Sequence, residues 1–402
     1  TSELHNESLK RIEDVSLLRS IQFIEDAGPT SHPVKPSEYV SIDNFYTTTI
    51  YEKGAELIRM LQLLIGKKGF MAGMRLYIEK FDGCAATTED FVNSIVEGAC
   101  KDGSKIIFNV EQFLIWYYQS GTPKIEIKRF WDRTKGVLKV TFSQKKILNK
   151  QPLVIPINIK LLYEGSSSEE KLIILDTYDK EFSFDSLPTQ KKQPILSVFR
   201  GFSAPVVWKS DLSLDEYIYL IENDDDLFSR WDACQYLMRK CILLRADNGD
   251  SQEIEERLIN TFEYLITQFG ENKPGFLAAI LTLPHIEELE SFQVFINPIA
   301  LYNARFYLHL LIAKRLFKKL NLLSQSISSK IEQNWPNGQN ERRLIEVLWG
   351  MLILVDDNHI RGYLLKAAAS SSMTISRSAL NAFKPIDCKE RKEAMNCFYK
   401  RW

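Results

Sequence analysis

Histidine is scarce in this 402-residue chain: His5, His32, His285, His309 and His359 are the full complement. No two of them stand four residues apart, so the H-E-x-x-H spacing that puts two imidazoles on one helical face is missing. The six cysteines, Cys84, Cys100, Cys234, Cys241, Cys388 and Cys397, form no C-x-x-C pair and no dense framework. That excludes a disulfide scaffold and reads as reduced, mostly buried thiols of an intracellular protein. No metal bound by this chain alone is expected. An excess of charge of either sign is also lacking, because 51 basic against 52 acidic residues leave a net charge of −1. No basic run is interleaved with aromatics, so nucleic acid is not an expected partner. No apolar run approaches the roughly 20 residues that cross a bilayer, and the first residues lack the basic start and apolar middle of a signal peptide. The expectation is a cytoplasmic protein without a membrane span. A G-x-S-x-G nucleophile elbow is absent, and Gly66-Lys67-Lys68-Gly69 lacks phosphate-loop spacing, reading instead as a turn between helices.

What remains is the composition of a globular protein, 45% hydrophobic and 26% charged, in a chain long enough for two or three domains. Residues 1–121 read as mainly helical. Leu9, Ile12, Val15, Leu18 and Ile21 recur at helical spacing, as do Ala55, Ile58, Leu61, Leu64 and Ile65 up to Gly66. Between them lies a Gly/Pro-rich loop from Glu25 to Pro33. Thr87 with Asp90 predicts a capping box, and Ser120-Gly121-Thr122-Pro123 a helix stop. Over about 124–208 the period falls to two: Ile125 and Ile127 alternate with charged neighbours, as do Leu138, Val140 and Phe142. Further strands are expected at Leu153–Leu162, Leu172–Leu175 and Ile195–Phe199, with loops at 149–152 and 166–168, the pattern of a small antiparallel sandwich. From about 212 the helical period returns behind a second capping box, Ser213 with Glu216, and continues as a helical array to Trp402.

Two tyrosines are the remaining candidates for chemistry. Tyr46 and Tyr51 fall where a β-branched, aromatic run meets a helix-forming run. Read as an extended segment, it would turn the two phenols to opposite faces. On residue type alone both are ordinary half-buried aromatics. The surrounding words say more: Phe45-Tyr46-Thr47-x-Thr49-x-Tyr51-Glu52-Lys53-Gly54-Ala55-Glu56, upstream Gln22-Phe23-x-Glu25-Asp26 with His32-Pro33, and downstream Asp82-Gly83-x-Ala85-Ala86-Thr87, Trp116-Tyr117-x-Gln119-Ser120-Gly121-Thr122-Pro123 and Arg200-Gly201-Phe202-Ser203-Ala204-Pro205-Val206. In this order they resemble the aminopeptidase N family of zinc metallopeptidases, closest to its bacterial and protozoan branch. The resemblance extends through Phe228-Ser229-Arg230-Trp231-Asp232-Ala233 and thins past about residue 240.

The resemblance implies a multidomain α+β fold. Its parts would be the mostly helical remainder of a thermolysin-like catalytic domain (1–121), a small antiparallel β-sandwich (122–208) and a C-terminal α-helical array (209–402). It implies a zinc held by two histidines and a glutamate, a second glutamate acting as base on the zinc-bound water, and peptide substrates with a free N-terminus. Tyr51 matches the tyrosine that hydrogen-bonds the tetrahedral oxyanion, and Tyr46 a tyrosine lining the substrate site. Glu52, Lys53 and Gly54 read as a helix start and close packing, and His32 as a loop histidine with satisfied hydrogen bonds rather than a ligand. The family's zinc and amine-binding motifs have no counterpart here. The chain is therefore expected to be the C-terminal part of a monomeric enzyme, inactive by itself and binding no zinc. The rival expectation is a metal-free interaction scaffold that uses the helical array.

Overall fold

The structure, a computed structural model, describes residues 2–146, 151–187, 192–333, 337–355 and 358–402; part of the loop expected at 149–152 lies outside them. The chain divides into two compact units. One is made of residues 10–216, and the other of 3–9 with 217–402.

Helix α1 (Ser2–Leu17), which belongs to the first unit from residue 10 onward, runs into a π-helical turn, Leu18–Gln22, and the short α2 (Phe23–Ala27). A 3-10 turn at Ile42–Phe45 and a second π-helical turn at Thr49–Lys53 lead into α3 (Gly54–Ile65). Helices α4 (Lys67–Phe81), α5 (Thr88–Lys101) and α6 (Val110–Tyr118) follow. Gly66, at φ 84°, makes the break between α3 and α4, as expected of a helix-to-helix turn. The Thr87–Asp90 capping box is complete, with side chain and backbone bonded in both directions. α4 and α5 approach until a Cβ on Gly98 would lie 2.5 Å from the Gly73 Cα.

Eight strands follow among the described residues: β1 (Lys124–Asp132), β2 (Val137–Gln144), β3 (Ile155–Tyr163), β4 (Ser166–Ser167), β5 (Lys171–Leu175), β6 (Asp179–Phe184), β7 (Ile195–Val198) and β8 (Val207–Ser210). They form one sheet in the order β6-β2-β1-β8 and another in which β3 pairs with β4, β5 and β7. Alternation explains β1 and β2, where Ile125, Ile127, Leu138, Val140 and Phe142 point inward. β3 is buried along most of its length, only Asn158 and Lys160 being half-buried. Three strands differ from the expectation. β4 occupies part of the expected 166–168 loop, pairing Ser167 with Leu162. β6 alternates weakly and is recruited by β2. β8 pairs with β1 in parallel, so the sandwich is antiparallel except at that edge.

One hydrophobic cluster runs from Leu57, Leu61, Ile95, Phe113 and Trp116 into Ile157, Phe142 and Val206. The Trp116 indole donates to the Val154 carbonyl at 2.8 Å, closing helix onto sheet. After β7 the chain turns through Phe199 and Phe202, both left-handed (φ 51° and 56°) and both buried. Burial of two rings, worth about 2–3 kcal/mol each, outweighs the roughly 1–2 kcal/mol strain of each conformation.

The second unit is helical: α7 (Leu214–Asn223, entered from the first unit), α8 (Leu227–Ala246), α9 (Gln252–Phe269), α10 (Pro274–Leu281), α11 (Ile286–Glu290), α12 (Pro298–Gln333), α13 (Gln339–Leu352), α14 (Asn358–Ala368), α15 (Met373–Phe383) and α16 (Lys389–Arg401). α10 is buried on every face, and α13 packs against α10, α12 and α15. The Phe228–Ala233 word has a physical role. Asp226 caps α8 through the Phe228 and Ser229 amides, and the buried Arg230 donates to the Ile221 and Glu222 carbonyls at the end of α7. Cys234 and Cys241 are buried, whereas Cys84, Cys100 and Cys397 are exposed and Cys388 half-buried. The expectation of mostly buried thiols is corrected accordingly.

Candidate active site

Tyr51 lies within a π-helical turn, not at the end of a strand. The Gly54 N–H reaches back five residues to the Thr49 carbonyl, the wide spacing that defines such a turn. The expectation of an extended segment is corrected, and so are the opposed phenols. The rings of Tyr46 and Tyr51 stack at 6.3 Å between centroids and 24° between planes. Both are open to solvent, 63% and 58% exposed. Two phenolic O–H donors thus stand side by side on an accessible surface.

The reason is tertiary. The run Thr47-Thr48-Thr49-Ile50 is β-branched and prefers a strand by itself. Here the Glu25 carboxylate accepts from the Thr49 N–H and the Thr49 hydroxyl, each at 3.0 Å, and from the Thr48 hydroxyl. Gln22 donates to the Thr49 hydroxyl at 3.3 Å from the other π-helical turn. The bond to the Thr49 N–H occupies one of the backbone donors that a helix start leaves unsatisfied.

One residue from Glu25, Asp26 holds the far side of the turn. Lys53, 1% exposed, places its Nζ 2.8 Å from Asp26 Oδ2 and 3.1 Å from the Gly121 carbonyl. Asp26 also accepts from the Gly121 N–H at 2.9 Å and the Thr122 hydroxyl at 3.0 Å. Burial pushes the Asp26 carboxyl upward, but the Lys53 charge and hydrogen bond, with the Gly121 amide, bring it below its ordinary value. Lys53 is therefore a buried ion-pair partner, a role its place in the motif does not reveal. Gly54 is not a site of forced close packing, since an added Cβ would meet only Val34 at an ordinary 3.6 Å.

His32 is satisfied, as expected of a loop histidine. Its Nδ1 lies 2.8 Å from the Pro33 carbonyl and so carries the proton, leaving Nε2 to accept from the Thr47 hydroxyl at 2.9 Å. Among the described residues, no group of three His, Cys, Asp or Glu side chains is placed to hold a metal ion. The zinc that the resemblance implies does not fit the residues present. No helix among them is long and apolar enough to cross a membrane.

Sequence reasoning identified the tyrosines through the words around them, but gave Glu25 and Asp26 no role. Their only signal was membership of a shared word, and the structure puts them on a short helix rather than in the expected loop.

Comparison with known proteins agrees along the chain. Residues 4–116 match the peptidase family M1 domain, 121–211 a domain of unknown function with an Ig-like fold (DUF3458), and 214–402 its companion described as ARM repeats (DUF3458_C). The aminopeptidase N of Caulobacter vibrioides is 34% identical over 412 residues, covering 100% of this chain and 46% of that protein. That of Escherichia coli is 34% identical over 322 residues, covering 76% and 36%. Legionella pneumophila aminopeptidase A, solved in complex with aspartic acid, superposes with a TM-score of 0.81 at 25% identity, covering 98% of this chain and 47% of that one. The chain spans less than half the length of these relatives. Ordered matches to all three segments and to whole-chain relatives identify the chain as a member of the aminopeptidase N family of M1 peptidases.

Proposed function

We propose that the protein carrying this chain is a zinc-dependent aminopeptidase that removes N-terminal residues from peptides, and that Tyr51 supplies the donor for the oxyanion. The observation that supports this is an exposed phenol on a turn anchored from two sides, within the family's tyrosine word. Hydrolysis of an amide passes through a tetrahedral intermediate whose former carbonyl oxygen becomes negative. A preorganised O–H aimed at that oxygen is worth on the order of 3 kcal/mol, roughly a hundredfold in rate. Tyr46, stacked beside it, lines the same surface and contacts the substrate. The zinc, the base and the amine-binding group would come from other parts of the protein. The 402-residue chain alone is accordingly proposed to be inactive. A monomeric, cytoplasmic enzyme divided at about residues 121 and 208 completes the reading.

The test is Tyr51→Phe in the intact protein, assayed on amino-acid 4-nitroanilides. The expected result is a fall in kcat of about a hundredfold with KM changed by less than about threefold. A kcat within about twofold of wild type would remove Tyr51 from the reaction.

A further inference from the structure

We propose that Glu25 is a positioning residue for Tyr51, an inference that rests on the reading of Tyr51 as the oxyanion donor. Within this chain the Tyr51 ring is more than half exposed and stacks on Tyr46. The direction of its hydroxyl is set by the backbone of the Thr49–Lys53 turn. That turn has no side-chain cap from its own N-cap residue, Thr48. The cap comes from elsewhere in the chain: the Glu25 carboxylate takes the Thr49 N–H, the Thr49 hydroxyl and the Thr48 hydroxyl on one oxygen. An acidic group at a helix start also meets the positive end of the helix dipole. Thr47 is held separately, through its hydroxyl on His32 Nε2, so Glu25 fixes residues 48 and 49 of the run.

Without Glu25, the Thr49 N–H loses its acceptor, and the start of the turn keeps only the Gln22–Thr49 and Thr47–Ile50 side-chain bonds, too little to hold the β-branched run and Tyr51 in the π-helical register. Displacing a catalytic group by about 1 Å costs on the order of a hundredfold. A purely stabilising role would instead lower the melting temperature and leave the turnover of each folded molecule unchanged.

The experiment compares wild type, Tyr51→Phe, Glu25→Ala, Glu25→Gln and the Glu25→Ala/Tyr51→Phe double variant in the intact protein. Turnover of an amino-acid 4-nitroanilide is measured, with hydrogen exchange of the amides of residues 49–54. Glu25→Ala is expected to lower kcat at least about tenfold with KM within about twofold, and to add less than about threefold when Tyr51 is already Phe. Glu25→Gln, which keeps an acceptor oxygen, falls in between. Exchange at 49–54 rises in both Glu25 variants. Loss of kcat in Tyr51→Phe but not in Glu25→Ala overturns the positioning role and leaves Tyr51 in place. Full multiplication of the two losses also overturns it. No loss in Tyr51→Phe removes the oxyanion reading, and the Glu25 proposal with it. Should Glu25→Ala fail to fold, Glu25→Gln decides: unchanged exchange at 49–54 refutes the proposal.

Discussion

Removing either partner of the Asp26–Lys53 pair should destabilise the unit of residues 10–216, but unequally. Both side chains are withdrawn from water, and breaking a buried pair by deleting one partner costs about 3–5 kcal/mol. In Lys53→Met, Asp26 keeps the Gly121 N–H and the Thr122 hydroxyl and can also take up a proton, so the cost falls near the lower limit, about 3 kcal/mol. In Asp26→Asn, the buried Lys53 ammonium loses its carboxylate, and the cost approaches about 5 kcal/mol. For a unit of this size the melting temperature drops by roughly 2–4 °C per kcal/mol, giving about 6–12 °C for Lys53→Met and more for Asp26→Asn. The double variant should recover at least about 1 kcal/mol relative to the sum of the two, since the partners touch.

The pH dependence of that cost has a definite sign. The folded Asp26 carboxyl lies below its ordinary value. Its contribution is therefore fully present above the unfolded value near about 4 and is lost as the pH falls through the lower folded value. With Lys53 gone, burial dominates and the carboxyl moves up. The gap between wild type and Lys53→Met should then narrow as the pH drops, first through the variant's raised carboxyl value and then, below about 4, through the lowered value of the wild type. Thermal unfolding followed by calorimetry from neutral to acidic pH measures both quantities. Equal losses in the two single variants, or a gap that widens in acid, would refute the assignment of the pair as the source of the stability.

Two further outcomes follow from the geometry. Gly98→Ala would place a Cβ 2.5 Å from the Gly73 Cα and 2.8 Å from the Ala72 carbonyl oxygen, contacts that only a shift of α4 against α5 can relieve. A loss of about 1–3 kcal/mol is expected in a chemical denaturation curve, and a neutral variant would mean the helices separate freely. Titration with a thiol reagent should label Cys84, Cys100 and Cys397 quickly and Cys388 more slowly, while Cys234 and Cys241 react only on unfolding. Burial pushes both inner thiols up, Cys241 to about 12 with help from the Glu255 charge, so neither supplies thiolate at neutral pH.

Much of the fold was legible because its signals are local. The Thr87–Asp90 and Ser213–Glu216 boxes formed as their spacing implies, and β1 and β2 follow the alternation of Ile125, Ile127, Leu138, Val140 and Phe142. What was missed depends on distant partners. β8 is four residues added in parallel to β1, and β6 is defined by its pairing with β2 rather than by any alternation of its own. The Thr47–Ile50 run was misread for the same reason. Its propensity is for a strand, and a carboxylate more than 20 residues away turns it into a helix start.

The same contrast accounts for the site. Nothing in the type or spacing of Tyr46 and Tyr51 sets them apart from other tyrosines in the chain; the family words did. Those words could not show how the phenols come to share a face, because that depends on Glu25 and Asp26, adjacent on α2 and engaged in opposite ways. Glu25 caps the start of the turn through hydroxyl and amide donors. Asp26 anchors its end through a buried ammonium. Strain or slack at either end reaches Tyr51 through two or three residues of backbone, whereas the exposed ring has little packing of its own to resist it. On the proposed role of Tyr51, substitutions at either acid should therefore lower the kcat of a 4-nitroanilide by more than their loss of stability accounts for.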